Sequence, residues 1–416
     1  MRSLADWLEQ QQKSHPSAID LTLERVREVA RRLDLLTPAY RVITVGGTNG
    51  KGSTVAYLDA LLRTAGQSSG RFTSPHLTRY NERICVDGSE ATDAELIESF
   101  QRIDDARGEI TLTFFEYSAL AALDQFRRAR VDTAVLEVGL GGRLDATNII
   151  DADVSVVCSI GLDHIDWLGG TLEQIGREKA GIFRPARPAV LGSADMPDSV
   201  LQVIETVGAF PVVCGRDFRA LPHANGWDFE CNALRLRNLP LPALAGSHQI
   251  DNAATALAAL AVGDLGIDLA HADVGQALRT TRLAGRFQIV PGEVEWIFDV
   301  AHNVPAARVL AQNLRTLPAR RTFAVCGILG DKDIGGILAT LSACVDKWIP
   351  VTLSGPRTVT AQALAEQLPP AASIERCAAD VVSGCQAALA AAAPGDRIVV
   401  FGSFLTVGPA LEFLGI

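Results

Sequence analysis

From about residue 40 onwards, short apolar runs alternate with longer amphipathic segments. The run RVITVGG precedes the periodic segment STVAYLDALLRTAG, and TAVLEVGLGG follows the helical EYSALAALDQFRRARV. The apolar DVSVVCSIGLDH, the helical LEQIGREKAGIF and the apolar PAVLG continue the same order. Apolar runs of strand length separated by amphipathic helices predict a parallel sheet with helices on its faces.

Residues 210–245 break this alternation with short strands and turns, including a hairpin signal at HANGW, and predict a small antiparallel addition. The helical DNAATALAALAVGDLG returns the chain to the first domain, and LAGRFQIVPG is typical of an interdomain hinge. The alternation then restarts with EWIFDVAHN, RTFAVCGIL, WIPVTL and RIVVFGSF. We therefore predict two α/β domains. Residues 1–288 form a P-loop-type, mostly parallel sheet with the antiparallel addition, and residues 289–416 form a smaller Rossmann-like domain.

Composition narrows the class of protein. The chain has 416 residues, of which 48% are hydrophobic and 21% charged, as in folded proteins of two domains. A net charge of −10 disfavours nucleic acid as a partner. The eight cysteines form no CxxC pair, and neither a signal-peptide pattern nor an apolar run of membrane-spanning length is present. We expect a cytoplasmic monomer that binds neither nucleic acid nor membrane.

The turn VGGTNGKGST resembles a phosphate-binding loop but departs from the strict pattern, because Gly52 separates Lys51 from Ser53. Its four glycines allow backbone N–H groups to approach an anion, and the helix that follows adds a partial positive charge. Lys51 supplies a point charge for the outer phosphates, and Ser53 or Thr54 could reach a magnesium ion. The alternative is a tight strand–helix turn with a solvated lysine.

Polar residues also follow other predicted strands. Ser74 lies in the loop of TSPHL, Glu137 lies inside the apolar VLEVG, and His164 follows in GLDHIDWLG. The carboxyl ends of parallel strands are where α/β sheets bind ligands, so these residues are candidate magnesium ligands. The alternatives are a surface turn for Ser74, a structural salt bridge for Glu137 and a core histidine for His164.

Two further positions carry polar groups. FDVAHN places Asp299 and His302 at the end of the first strand of the second domain, where Asn303 can cap the next helix. This arrangement predicts a second ligand face, with a plain helix cap as the alternative. Lys179, in GREKAGIF, is on residue grounds alone a surface lysine.

Taken in order, GGTNGKGST, TSPHL, LEVGLGGRLDATN, GLDHIDWLG, EKAGIF, HQIDNAATALAAL, GRF and DVAHN resemble the folylpolyglutamate synthases, which group with the Mur-type ADP-forming amide ligases. The resemblance covers nearly the whole chain. Its length and AIDLTLERV near the start are more similar to the bacterial bifunctional enzymes, which join dihydrofolate synthase and folylpolyglutamate synthase activities, than to the monofunctional ones.

The resemblance implies that ATP phosphorylates a carboxylate of dihydropteroate or of a reduced folate, and that L-glutamate attacks the acyl phosphate. It implies nucleotide contacts by Asn49, Gly50, Lys51, Gly52, Asn252, Arg286 and Asp299. It implies two magnesium ions held by Ser53, Ser74, Glu137 and His164. It implies a pterin site near the 74–80 loop and Asp20, Thr113, Phe114, Phe115, Glu116, Leu144, Asp145 and Ala146. It implies catalytic roles for Lys51, His302 and Lys179, the last as a carbamate.

Two rivals remain. A cell-wall Mur ligase is disfavoured by Gly52, where those enzymes usually have threonine, and by the lack of an additional UDP-sugar domain before the loop. A nucleotide-gated binding or switch protein would need the phosphate loop but not Glu137, His164 and the Asp299–His302 pair. ADP release that depends on both pteroate and glutamate separates these possibilities.

Overall fold

The computed structural model describes residues 2–17, 19–355 and 357–416, which form two compact units. The first unit contains the residues up to His76, Tyr80–Ala243 and Ile250–Thr281. The second contains Leu77–Arg79, Leu244–Gln249 and Arg282–Ile416. The division that the sequence predicts at residue 288 differs from this one, because it places Leu77–Arg79, Leu244–Gln249 and residues 282–288 in the first domain.

The first unit is built on an eight-stranded sheet. Its strands are β1 Arg41–Gly46, β2 Ser69–Phe72, β3 Ile84–Val86, β4 Ser89–Glu90, β5 Thr133–Glu137, β6 Val154–Val157, β7 Pro188–Leu191 and β8 Phe210–Val213. The order is β4-β3-β2-β5-β1-β6-β7-β8, with β3 and β4 antiparallel at one edge and the other strands parallel. The ends of β2, β5, β1 and β6 therefore meet at one edge of the sheet.

Helices cover both faces of this sheet, as the alternation predicts. They are α1 Leu4–Lys13, α2 Glu24–Arg32, α3 Lys51–Thr64, α4 Asp93–Arg107, α5 Phe114–Ala129, α6 Ile165–Leu168, α7 Leu172–Ala180, α8 Asp198–Val207, α9 His248–Val262 and α10 Val274–Thr280. One apolar core includes Trp7, Phe100 and Phe126, and a separate one includes Val157 and Leu191. Because both faces are covered, the central strands are buried continuously, which explains their unbroken apolar runs.

The antiparallel addition is smaller than predicted. Its strands are β9 Phe218–His223, β10 Gly226–Cys231 and β11 Leu234–Leu239, in the order β11-β10-β9. The hairpin predicted at HANGW is confirmed, because His223 pairs with Gly226 across the turn. The assignment of residues 210–213 to the addition was wrong, since β8 pairs in parallel with β7. As the edge strand of the large sheet, β8 tolerates Pro211, which lacks an N–H group.

The second unit contains a five-stranded sheet in the order β12-β13-β16-β14-β15. Its strands are β12 Gln288–Val290, β13 Glu295–Asp299, β14 Thr322–Cys326, β15 Lys347–Pro350 and β16 Arg397–Phe401. Its helices are α11 Val304–Thr316, α12 Ile334–Leu341, α13 Ala361–Ala365, α14 Val381–Ala391 and α15 Phe404–Phe413. Strand β12 is antiparallel to β13 and the others are parallel, so part of the predicted hinge segment is a strand of this sheet.

Successive residues of the second sheet point to opposite faces. Trp296 and Phe298 pack in one apolar core, whereas Ile297 packs in the other. This period of two follows from strand geometry. None of the helices in the described part of the chain combines the length and hydropathy that a membrane crossing requires. The eight cysteines are free thiols, in agreement with the absence of a CxxC pair.

Candidate active site at the carboxyl edge of the large sheet

The glycine turn between β1 and α3 is closely packed against its surroundings. Gly47 and Gly50 have φ angles of 143° and 87°, which side-chain-bearing residues rarely adopt. A Cβ atom on Gly47 would lie 3.1 Å from the Cβ atom of Cys158, and one on Gly50 would lie 2.6 Å from Oδ1 of Asn252. The turn therefore requires glycine at both positions, and it brings Asn252 of α9 beside the start of α3.

Hydrogen bonds hold the turn to the segment that follows β6. The Thr48 backbone N–H donates to the Ser159 carbonyl oxygen over 2.8 Å. Thr48 Oγ1 accepts from the Gly161 N–H at 3.0 Å and donates to the Gly161 carbonyl oxygen at 3.1 Å. The Asn49 N–H donates to Ser159 Oγ at 3.1 Å. Sequence reasoning missed Thr48, Ser159 and Gly161, although all three lie at the ends of adjacent strands.

Two lysines converge on one carbonyl oxygen of the turn. Lys51 Nζ donates to the Gly47 and Thr48 carbonyl oxygens at 3.0 and 3.3 Å, and Lys179 Nζ donates to the same Gly47 oxygen at 3.0 Å. The interpretation of Lys179 as a surface residue was wrong, because it is only 5% exposed. Burial, and secondly the charge of Lys51, lower the pKa of Lys179 to about 7.

Ser74 and Glu137 are brought together by the sheet order, because β2 and β5 are neighbours. Glu137 ends β5 and is buried, and its Oε2 atom accepts a hydrogen bond from the Ser74 N–H at 3.1 Å. Ser53 is buried in the first turn of α3, which follows the adjacent strand β1. A carboxylate and two serines therefore occupy the same edge of the sheet as the glycine turn.

His164 lies after β6, at the start of the short helix α6, with a φ angle of 52°. The Asp163 carboxylate accepts a hydrogen bond from the His164 N–H at 2.9 Å, and its Oδ1 atom is 4.0 Å from His164 Nε2. Among the described residues, no group of three His, Cys, Asp or Glu side chains is arranged to hold a metal ion. A metal at this edge would therefore draw on hydroxyl and phosphate oxygens as well as on Glu137.

In the second unit, Asp299 ends β13 and organises the preceding segment. Its Oδ2 atom accepts from the Phe287 N–H at 2.9 Å and its Oδ1 atom from the Ala301 N–H at 2.8 Å. Burial raises the pKa of Asp299, while Arg286 lowers it. The Arg286 guanidinium lies 5.1 Å from the centre of the Phe404 ring, at the start of α15.

The residues after Asp299 form a helix start, as predicted. Asn303 caps α11, with its Oδ1 atom accepting from the Ala306 N–H at 2.9 Å. His302 Nδ1 lies 2.8 Å from the Val300 carbonyl oxygen. A carbonyl can only accept, so Nδ1 carries a proton and donates it to this hydrogen bond.

The predicted pterin residues Thr113 and Glu116 form the capping box of α5. The Thr113 N–H donates to Glu116 Oε2 at 2.7 Å, and the Glu116 N–H donates to Thr113 Oγ1 at 3.2 Å. Arg25 joins the buried Glu116 carboxylate at 3.1 Å to the Asp20 carboxylate at 2.9 Å. Arg25, which sequence reasoning missed, therefore places Asp20 beside the start of α5.

The aromatic residues of the TFFE stretch lie in different contacts. The Phe115 ring is 5.8 Å from the Phe72 ring, and a Cβ atom on Gly139 would approach it to 2.6 Å. The Phe114 ring meets the Tyr80 ring nearly at right angles with centres 5.7 Å apart. Phe115 thus packs against the large sheet, whereas Phe114 faces the 74–80 loop.

Asp145 folds the glycine-rich loop after β5. Its Oδ2 atom accepts from the N–H groups of Gly139 and Leu140 at 2.9 Å, and its Oδ1 atom accepts from the Thr147 N–H and hydroxyl at 3.0 and 2.7 Å. These four hydrogen bonds engage both carboxylate oxygens. Beside it, Leu144 is partly buried and Ala146 is buried. Asp145 therefore stabilises the conformation of this loop, and pterin contact by residues 144–146 stays a prediction.

A buried arginine near these groups was also missed. Arg83 Nε donates to His76 Nδ1 at 2.7 Å, and the guanidinium carbon lies 5.5 and 5.3 Å from the ring centres of Tyr80 and Phe114. Burial lowers the pKa of Arg83, while Tyr80 and Glu137 raise it. Burial, and secondly Arg83, lower the pKa of His76 to about 4, so this imidazole is neutral and can accept the hydrogen bond.

Comparison with known proteins agrees with this architecture. The Mur ligase middle domain model matches residues 45–201, and the model of the Mur ligase glutamate ligase domain matches residues 285–404. The dihydrofolate synthase/folylpolyglutamate synthase of Escherichia coli (strain K12) is 46% identical over 412 residues, which cover 99% of this chain and 95% of that protein.

Solved structures are similar over the full length. The structure of E. coli FolC in complex with DHPP and ADP has a TM-score of 0.94 and 45% identity, and the match covers 100% of this chain and 98% of that one. A bifunctional folylpolyglutamate synthase/dihydrofolate synthase with Mn, AMPPNP and L-glutamate bound has a TM-score of 0.92 and 44% identity, covering 100% and 99%. The chain therefore belongs to the dihydrofolate synthase/folylpolyglutamate synthase family of Mur-type ligases.

Proposed function

We propose that this protein is an ATP-dependent ligase that joins L-glutamate to dihydropteroate, forming dihydrofolate, and to reduced folates, forming folylpolyglutamates. ADP and phosphate are the other products. The observation that carries the proposal is the meeting, at one sheet edge, of the glycine turn with Lys51 and the hydrogen-bonded Ser74–Glu137 pair. The relatives with ADP, AMPPNP, Mn or L-glutamate bound support the same assignment.

The reaction needs activation because a carboxylate is a poor electrophile. A carboxylate oxygen of the pteroyl substrate bonds to the γ-phosphorus of ATP, the bond to the β-γ bridging oxygen breaks, and ADP leaves. The glutamate amine then bonds to the acyl carbon and loses a proton, while the carbon–oxygen bond breaks and phosphate leaves. Lys51 and the N–H groups of the turn offset the phosphate charge during transfer.

The side chains at the sheet edge fit a hard divalent cation. Glu137 offers a buried carboxylate, and Ser53 and Ser74 offer hydroxyl oxygens, which is the chemistry that Mg²⁺ prefers. We propose that these residues hold the metal, with His164 at a second ion. When bound, the metal would withdraw charge from the phosphoryl oxygens.

The other substrates are assigned by the same reasoning. We propose that the nucleotide contacts are made by Asn49, Gly50, Gly52, Asn252, Arg286 and Asp299. His302 would act near the glutamate and the γ-phosphate. Pterin contacts are proposed for Asp20, for Thr113–Glu116 and for Leu144–Ala146. The cytoplasmic location and the monomeric state stay predictions.

The test is substrate-dependent ADP release followed by the masses of the products. Purified protein is supplied with ATP, Mg²⁺ and L-glutamate together with either dihydropteroate or tetrahydrofolate, and each component is omitted in turn. We expect ADP release over many turnovers only in complete mixtures, and products that are heavier by whole glutamate residues. Continued ADP release over many turnovers without glutamate would contradict the ligase assignment. Product from tetrahydrofolate alone would instead favour a monofunctional folylpolyglutamate synthase.

A further inference from the structure

Arg83 occupies a position that the residues assigned so far leave unexplained. It closes the short 3-10 helix Tyr80–Arg83 that leads into β3, and its side chain is buried. The carbonyl oxygen of Arg83 accepts a hydrogen bond from the Thr73 N–H at 2.9 Å. Arg83 therefore lies directly across from the residue that precedes Ser74, at the edge of the sheet that carries the Ser74–Glu137 pair.

The contacts of the Arg83 guanidinium leave its two terminal nitrogens for a ligand. Nε donates to His76, and the aromatic rings of Tyr80 and Phe114 face the guanidinium carbon. Among the residues that the structure describes, neither terminal nitrogen donates a hydrogen bond to the protein, and no carboxylate oxygen lies within 4.0 Å. By comparison, Arg25 pairs with two carboxylates. The charges of Glu137 and Glu82 raise the pKa of Arg83 without a direct ion pair. A buried cation without a direct ion pair is costly, so folded proteins seldom keep one without a use for it.

The neighbours of Arg83 define which anion it can meet. Phe114, at the start of α5, belongs to the predicted pterin contacts, whereas Ser74 and Glu137 belong to the proposed metal and phosphate edge. In dihydropteroate the carboxylate lies at the opposite end of the molecule from the pterin. A substrate whose pterin lies near α5 and whose carboxylate is directed at the Ser74–Glu137 pair brings that carboxylate to the part of the sheet edge where the charge of Arg83 acts on Glu137.

We infer that Arg83 binds the reacting carboxylate of dihydropteroate and is a determinant of specificity for this acid. The inference rests on the proposed function. Two terminal N–H groups of a guanidinium match the two oxygens of a carboxylate. The hydrogen bond to His76 and the two aromatic rings fix the plane of the group in advance, which lowers the entropy that binding would otherwise cost.

The experiment compares two ligands in two proteins. The affinities of dihydropteroate and of its carboxamide, which has the same shape but no charge, are measured by titration with wild type and with Arg83→Gln. We expect wild type to prefer the acid by about 10- to 100-fold, the range for hydrogen bonds to charged groups. In Arg83→Gln the preference should fall to about one, chiefly through weaker binding of the acid. Arg128→Gln, at the other end of α5, is the matched control and should keep the wild-type preference.

The possible results separate a binding role from a structural one. If Arg83→Gln binds both ligands more weakly but keeps the wild-type preference, the arginine only shapes the pocket and the inference is wrong. If Arg83→Gln does not fold, Arg83→Met, which keeps an apolar stem against the two rings, takes its place with the same expected ratio. A wild type that binds neither ligand and releases no ADP would remove the proposed function together with the inference. If wild type releases ADP in complete mixtures and Arg83→Gln loses the preference for the acid, the result supports both the proposed function and the inference.

Discussion

Lys179 is predicted to carry a carbamate in the active enzyme. A carbamate forms when the lone pair of a neutral amine bonds to the carbon of CO₂ and a proton is released. Lys179 is buried, its Nζ atom lies 3.0 Å from the Gly47 carbonyl oxygen, and its pKa is lowered to about 7. The same features that disfavour an ammonium therefore favour the modification.

The fraction of Lys179 that is neutral, and therefore able to react with CO₂, follows from its pKa. At pH 7.5 a lysine with a pKa of about 7 is roughly three-quarters neutral, whereas one with the ordinary pKa of 10.5 is about 0.1% neutral. Lys179 thus has nearly a thousandfold more of the reactive form than an exposed lysine. Because the amine gains its proton as the pH falls, carbamate and activity should both decline below about pH 7. The charge of Lys51, which lowers the pKa of Lys179, would also stabilise the carbamate anion.

The assay is ¹³C NMR of the protein equilibrated with ¹³CO₂, combined with turnover in CO₂-depleted buffer. We expect one carbamate resonance that is absent in Lys179→Ala and retained in Lys13→Ala, since Lys13 is an exposed lysine. Turnover should fall on removal of CO₂ and recover on its return. Lys179→Ala should lose activity, and a short carboxylic acid in solution should restore part of it. A fully active enzyme whose Lys179 is unmodified by mass or NMR would refute the reasoning.

Three other predictions concern the sheet edge. Lys51→Ala should lower turnover by roughly 100-fold or more while the free energy of unfolding changes by under about 1 kcal/mol, because Lys51 Nζ donates to two backbone carbonyl oxygens of the turn and to no side chain among the described residues; near-normal product from the folded variant would contradict the phosphate loop. Glu137→Gln and His164→Ala should each raise the Mg²⁺ concentration for half-maximal turnover, by about 10-fold; unchanged titrations in both would make these residues structural. Gly50→Ala should lose about 1–2 kcal/mol of stability and most turnover, because φ is 87° and its Cβ would meet an amide oxygen at 2.6 Å. Gly66→Ala, at φ 82° with open space around it, is the control and should keep turnover.

The sequence predicted the elements whose signal is local. The order of β1, the glycine turn and α3 is readable because an apolar run, a glycine cluster and a helical period follow one another within about 25 residues. The assignment of β8 failed because a four-residue strand carries little pattern, and its partner is chosen by pairing with β7 at the edge of the sheet. Short strands are therefore assigned by their neighbours in space.

The candidate site residues show the same division. The glycine turn and the polar residues after the strands could be named as candidates from the sequence because the carboxyl edge of a parallel sheet is a general ligand site. Arg25 was missed because its partner Glu116 is 91 residues away along the chain. Lys179 was misread because its burial depends on Gly142, where a Cβ atom would lie 2.7 Å from the Lys179 carbonyl oxygen and hold the helix away. The sequence of α7 does not show that Gly142 packs closely against Lys179.

The two lysines at the glycine turn share one acceptor but differ in their surroundings. Lys51 and Lys179 both donate to the Gly47 carbonyl oxygen, so two ammonium groups there would repel each other at short range. Because burial and Lys51 both lower the pKa of Lys179, Lys179 is the one that gives up its proton. Lys179 then becomes able to react with CO₂, while Lys51 donates to the Gly47 and Thr48 carbonyl oxygens of the turn. Lys51 and Lys179 have identical side chains, and their predicted roles differ because their environments differ.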